Sequence, residues 1–265
     1  MKTNAKQSYI HLITGLFILL FLIGSCKKKT EEKEEQLTFS EYQQTDTPKG
    51  LSSTIPFTTS SNSVLLTGID HIRLIPIYKI DPKVNRDLQY EYSTTYYNSR
   101  YYGYESDSDE NFKYFMPGID IIYGYNMVNM GHYDLTNDKL TYFFDHPVLI
   151  RTLYFPGTQK DSLYREPVMR DYFMASVYNE DTNRDSLINT RDMRRMFHID
   201  QLNMQKTALL PPDYSAIRST YDPKNDIMYI YARYDENGDG TPEKQEPIAI
   251  FRIGLKDPLN IRKMR

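Results

Sequence analysis

Residues 173–199 read FMASVYNEDTNRDSLINTRDMRRMFHI, and residues 227–253 read IMYIYARYDENGDGTPEKQEPIAIFRI. Laid over one another without gaps, Asp181 meets Asp235, Asn183 meets Asn237, Asp185 meets Asp239 and Asp192 meets Glu246, an offset of 54 residues. Each copy opens on an apolar segment, Phe173 to Tyr178 or Ile227 to Ala232. Each closes on another, Met196-Phe197-His198-Ile199 or Ile250-Phe251-Arg252-Ile253. Short runs rich in Val, Ile, Tyr and Phe on either side of an Asp/Asn/Gly cluster are the pattern of strand, loop, strand.

The same texture runs outward from these two copies. Weaker relatives are Tyr133-Asp134 ahead of Leu140 to Phe144, and Tyr78 to Asp81 ahead of Leu88 to Tyr92. Asp81 and Asp134 lie 53 residues apart, and Asp134 and Asp181 lie 47 apart. No stretch after residue 25 keeps a 3.6-residue apolar period, so the fold class expected is all-β. A hairpin recurring at 40 to 50 residues suggests four-stranded blades. The expected architecture is therefore a small or incomplete β-propeller-like repeat, with a β-sandwich as the alternative. In the last copy Met228, Ile230 and Ala232 alternate with Ile227, Tyr229 and Tyr231, both sets apolar or aromatic, which predicts a strand wetted on neither face.

The loops inside the repeat carry oxygen donors at calcium spacing. A calcium ion takes six to eight oxygens, supplied by alternate positions of a tightly wound loop. In the first loop these are Asp181, Asn183, Asp185, the Leu187 carbonyl, Asn189 and Asp192, with Ile188 packing the loop down. In the second they are Asp235, Asn237, Asp239, Thr241, Glu243 and a potentially bidentate Glu246. The second satisfies D-x-[DN]-x-[DN]-G-x5-E in full, although Pro242 replaces the apolar residue at its eighth position. The first has Ser186 at the sixth position, where glycine ordinarily supplies a positive φ. Both resemble the calcium loop of EF-hands, and the first is closer to that of dockerins, whose twelfth residue is commonly aspartate. The expected cofactor is a structural calcium ion in a strand–loop–strand setting.

The chain opens differently. Lys2 and Lys6 precede LITGLFILLFLIG, residues 12–24, a short apolar run that fits a secretory signal peptide. It is too short to cross a bilayer comfortably, which takes about 20 residues. The run ends Leu22-Ile23-Gly24-Ser25-Cys26, and Cys26 is the only cysteine in the chain. This resembles the lipobox of bacterial lipoproteins, which implies cleavage before Cys26, a lipid on its thiol and membrane attachment through it. Lys27 in place of aspartate favours the outer membrane, with the periplasmic or surface face left open. The charged run KKKTEEKEE, residues 27–35, and the Ser/Thr/Gln/Pro-rich stretch after it read as a solvated tether. The domain expectation is a signal peptide at 1–25, a tether at 26–54 and a β-rich repeat domain at 55–265, with a first strand around Ile55 to Phe57.

A formal net charge of −3 over 265 residues argues against a nucleic-acid binder, which would need a basic patch to neutralise phosphates. His71, His132, His146 and His198 show no zinc spacing, and there is no G-x-S-x-G elbow, P-loop or G-x-G-x-x-G. No residue is assigned a catalytic role. Tyr96, Tyr97, Tyr101, Tyr102 and Tyr104 form a tyrosine-dense run that could contact a protein or glycan, although tyrosine also simply favours strands. The last ninety or so residues resemble uncharacterised Gram-negative lipoproteins that combine TolB-like propeller strands with D-x-N-x-D loops. That resemblance implies a lipid-anchored, calcium-stabilised binding or scaffolding module of the cell envelope. The alternatives are a carboxylate-dependent, glycan-processing hydrolase on the same anchor and a purely structural envelope protein.

Overall fold

The structure is a computed structural model that describes residues 37–38, 59–61, 63–80, 94–97, 116–124 and 126–265. The chain divides into Met1–Lys33, where no residue is described, and Glu34–Arg265, which holds every described strand. The expectations for the apolar leader, Cys26, the run 27–35, Ile55 to Phe57, Leu88 to Tyr92, Tyr101, Tyr102 and Tyr104 lie outside the described residues.

All regular structure among the described residues is β, as the alternating texture predicts. In chain order the strands are β1 Leu37–Thr38, β2 Thr59–Ser60, β3 Leu65–Leu66, β4 Ile72–Lys79, β5 Thr94–Tyr97, β6 Ile119–Gly124, β7 Met127–Asp134, β8 Lys139–Tyr142, β9 Leu149–Pro156, β10 Asp161–Leu163, β11 Glu166–Val168, β12 Tyr172–Tyr178, β13 Leu187–Ile188, β14 Arg195–Asp200, β15 Lys206–Ala208, β16 Tyr214–Asp222, β17 Ile227–Tyr234, β18 Ile248–Gly254 and β19 Asp257–Lys263. They form a six-stranded sheet β15-β14-β12-β9-β6-β5, a four-stranded sheet β16-β17-β18-β19, and a five-stranded sheet β2-β4-β7-β8 with β3 also on β4. Two small ribbons, β1-β13 and β10-β11, complete them. All pairings are antiparallel, each sheet runs in chain order, and none closes into a barrel.

The six-stranded sheet carries a core on each face, and side-chain parity shows why. Along β12, Phe173, Ala175 and Val177 point one way, into a cluster with Leu74, Met130, Phe143 and Ile150 next to the five-stranded sheet. Tyr172 and Met174 point the other way, into a cluster with Met228, Ile230, Phe251 and Ile253 of the four-stranded sheet. Successive side chains of a strand project to opposite faces, so one continuous apolar run serves both cores. Each fully buried large apolar side chain there contributes roughly 1.5–3 kcal/mol.

The strand wetted on neither face is thus β12, whose seven residues are all buried, and not the expected β17. On β17 the inner set is buried, while Ile227, Tyr229 and Tyr231 are only half-buried. Tyr231 is covered by a side chain, the Arg218 guanidinium lying 3.6 Å from its ring centre. Tyrosine tolerates this because its ring has an apolar body and a polar tip.

Candidate functional site

The two acidic loops are the hairpin ends of neighbouring sheets. Residues 181–192 lie between β12 and β14, and residues 235–246 between β17 and β18. The flanking pairs are Phe173↔Ile199 in one hairpin and Met228↔Ile253 in the other, so the gap-free repeat is a structural repeat with one residue of register slip.

Within the loops the backbones match position by position. The fourth and sixth residues have positive φ in both, 60° at Arg184 and 67° at Ser186 against 72° at Gly238 and 77° at Gly240. The first carboxylate accepts the sixth N–H at 3.0 Å in both, Ser186 to Asp181 and Gly240 to Asp235. The third side chain accepts the fifth N–H, Asp185 to Asn183 at 3.0 Å and Asp239 to Asn237 at 2.9 Å. The fifth carboxylate accepts the seventh N–H, Leu187 to Asp185 at 2.9 Å and Thr241 to Asp239 at 2.8 Å. The twelfth carboxylate closes the loop from both sides. Asp192 accepts the N–H of Thr182 and of Asn189, and Glu246 accepts that of Glu236 and of Glu243. Pro242 leaves this closure intact.

The loops also touch each other. Thr182 Oγ1 donates to the Gly240 carbonyl at 2.7 Å, and accepts the Met193 N–H at 2.8 Å. A Cβ on Gly240 would sit 2.0 Å from the Thr182 carbonyl oxygen, so only glycine permits this approach. Just past the first loop, Arg194 donates its N–H to Ser215 Oγ and its guanidinium to the Ala216 and Ile217 carbonyls at the bulge in β16. The loop ends of the six- and four-stranded sheets are therefore joined at two points.

Electrostatics inside the loops are one-sided. Asp192 is fully buried, and burial pushes its carboxyl above the usual carboxylate range despite its backbone donors, with Asp181 adding repulsion. Arg191 pairs with Asp185 at 2.7 Å, and Asn237 Nδ2 donates to Asp239 at 2.9 Å. Each uses an oxygen that a bound cation would take. The donor set is all oxygen from carboxylates, amides and carbonyls, which suits a hard cation and not a thiolate or imidazole metal. Among the described residues no group of three or more His, Cys, Asp or Glu side chains is gathered as a metal centre. The loop donors are instead a mixture of carboxylate, amide and main-chain oxygens. Ile188 is fully buried against Val128, Leu149 and Tyr178, and the Leu187–Ile188 segment pairs with Leu37–Thr38. Two residues of the stretch expected as tether thus add a strand to the first loop.

No known protein family matches this chain, and no curated protein does. The site must be read from its own geometry.

Other sequence-predicted features fall elsewhere. Tyr96 and Tyr97 lie on β5, the edge of the six-stranded sheet, opposite Ile122 and Ile121. The weaker relative at Asp134 is a hairpin closed by a tight turn. Asp134 accepts the Thr136 N–H, and Asp138 takes a positive φ of 50°. The same turn recurs at Asp200–Met204 and Asp222–Asp226, where the first aspartate accepts the third N–H and the fifth residue has φ of 59° or 53°. Its signature, D-x-x-N-x, was present in the sequence at 134–138, 200–204 and 222–226. The Thr182–Gly240 contact left no sequence signal, because it depends on how two sheets pack.

Proposed function

We propose that this protein is a lipid-anchored, calcium-stabilised β-protein of the cell envelope that acts as a binding or scaffolding module. Cys26 would carry the lipid, in the outer membrane, and a protein or glycan of the envelope would be the partner. A propeller-like repeat, with a β-sandwich as the alternative, is the architecture that goes with this reading.

The observation that supports the cation role best is the position-by-position match of the two loops. Two sequences that share only their ligand positions adopt one backbone, including a serine held at positive φ. Asp181, Asn183, Asp185, Leu187, Asn189 and Asp192 would hold one ion, and Asp235, Asn237, Asp239, Thr241, Glu243 and Glu246 the other. The ion's chemistry here is charge neutralisation. It would replace the Arg191 and Asn237 contacts and relieve the buried Asp192 carboxylate.

The test is thermal unfolding of residues 26–265 with EDTA and with millimolar calcium. Calcium should raise Tm by several degrees, and Asp181→Asn together with Asp235→Asn should abolish the increment. An identical melt in both buffers overturns the cation reading. Metabolic labelling with palmitate, lost in Cys26→Ser, tests the anchor separately.

A further inference from the structure

The four-stranded sheet is rich in cations. Across β16 to β19 there are five cations, Arg218, Arg233, Arg252, Arg262 and Lys263, against two carboxylates, Asp222 and Asp257, in a chain whose net charge is −3. Lys263 turns to the Tyr214 hydroxyl, and Arg233 is used on the Glu243 and Glu246 carbonyls. The other three arginines share the outer face with Asp222, whose Oδ2 accepts from the Tyr229 hydroxyl at 3.4 Å.

Register places them. Thr220 pairs with Tyr229, Tyr229 with Arg252, and Arg252 with Arg262, one row across all four strands. In the neighbouring row Arg218 pairs with Tyr231, and Tyr231 with Ile250. Ile253 and Ile261, paired beside the first row, point into the core, so Arg252 and Arg262 point out together. Like charges directly opposite one another destabilise a sheet. Among the described residues neither arginine forms an ion pair. An anion seated between them would remove that repulsion, and guanidinium forks suit carboxylates through paired hydrogen bonds.

We propose that this face binds an acidic polysaccharide, a chain of uronate sugars, with Arg252, Arg262 and Arg218 on the carboxylates and Tyr229 beneath the sugar rings. A sheet repeats at about 4.8 Å from strand to strand, which sets Arg252 and Arg262 at a spacing comparable with one carboxylate per sugar. Tyr229 and Ile250 are half-buried, which gives an apolar floor for sugar rings and leaves little for an acyl chain to bury beyond Ile248. The proposal rests on the binding-module part of the proposed function and not on the cation loops.

The test is calorimetric titration of residues 26–265 with polygalacturonate in EDTA, below the EDTA Tm, and again in calcium. Poly-L-glutamate and phosphatidylglycerol vesicles are run in parallel. Saturable polygalacturonate binding is expected, weakened by salt, with Arg252→Gln plus Arg262→Gln reducing affinity by about tenfold or more. The double variant should keep or raise the parent's Tm, because a repulsion is removed. Absence of saturable binding, equal binding by the variant, or tighter binding of polyglutamate or vesicles overturns the proposal. Binding retained beside a calcium-insensitive melt would refute only the loops. Lost binding beside a calcium-stabilised melt would refute only the glycan face.

Discussion

Ser186 and Gly240 occupy the same place in their loops, yet they bear it at different cost. A φ of 67° brings the serine Cβ against its own carbonyl, a strain of about 1–2 kcal/mol for an L-residue. Glycine in that place gives back part of the gain as unfolded-state entropy, about 0.5–1 kcal/mol. Ser186→Gly is therefore expected to stabilise the protein by about 0.5–1 kcal/mol, read as a higher urea midpoint with unchanged slope. The exchange in the other loop should go the opposite way and further. Gly240→Ala keeps a φ of 77° and drives a methyl to 2.0 Å from the Thr182 oxygen, so the loops must part. Its midpoint should fall by more than Ser186→Gly raises it. Equal and small effects at the two positions would mean that the inter-loop contact carries no energy.

At the scale of elements, hairpins and turns add polar ties to the apolar cores between the sheets. Arg170, just past β11, forms a 2.7 Å ion pair with Asp226 in the β16–β17 turn, with the arginine side chain 3% exposed. Its Nε also donates to the Pro117 carbonyl, and the Tyr221 hydroxyl donates to Asp226 at 3.0 Å. Removing one partner of a buried pair strands the other, at a cost of about 3–5 kcal/mol. Asp226→Asn isolates that term, because asparagine accepts the positive φ of 53° as well as aspartate does. The variant should lose about 3 kcal/mol in denaturant unfolding, and a loss below 0.5 kcal/mol would show that the pair is solvated. This scale also marks how far the sequence could be read. Alternating Tyr, Ile and Val declared strands, and the Asp-Asn-Asp repeat located two hairpin ends and their matching oxygen-bearing positions. Neither could declare that β12 would be covered twice and β17 once, since strand composition is the same in both. Nothing in the sequence marks Arg170 and Arg194, whose partners are a turn 56 residues away and the β16 bulge.

For the whole molecule, the two inter-sheet cores share a weakness to acid. His132 on β7 lies beside Phe173 and Phe143, at 6.0 and 6.4 Å between ring centres, and its Nε2 is buried without a hydrogen-bond partner. His198 on β14 lies 5.4 Å from the Tyr172 ring, in the other core. Burial holds both imidazoles below the usual histidine value of 6.5. For His132, Asp134 opposes the shift and His71 adds to it, while β8 offers only the Thr141 hydroxyl and β12 the Phe173 ring. For His198, Asp200, Asp171 and Asp257 oppose it without prevailing. A folded-state pKa below the unfolded value means that the unfolded chain takes the proton first. Stability is then fully present above pH 6.5 and falls as the pH drops from 6.5 toward the folded values. Asp192 acts in the opposite sense at lower pH, because its folded pKa is raised. Tm should therefore be flat from pH 8 to 7 and decline between 6.5 and 5.5. His132→Phe and His198→Phe should each flatten that decline, because each replacement keeps a ring in its core and withdraws the group that would be charged, while His146, which burial also holds below 6.5, accounts for the slope that the double variant keeps. A melting profile that slopes equally in the parent and the double variant would place the acid-sensitive groups elsewhere in the molecule.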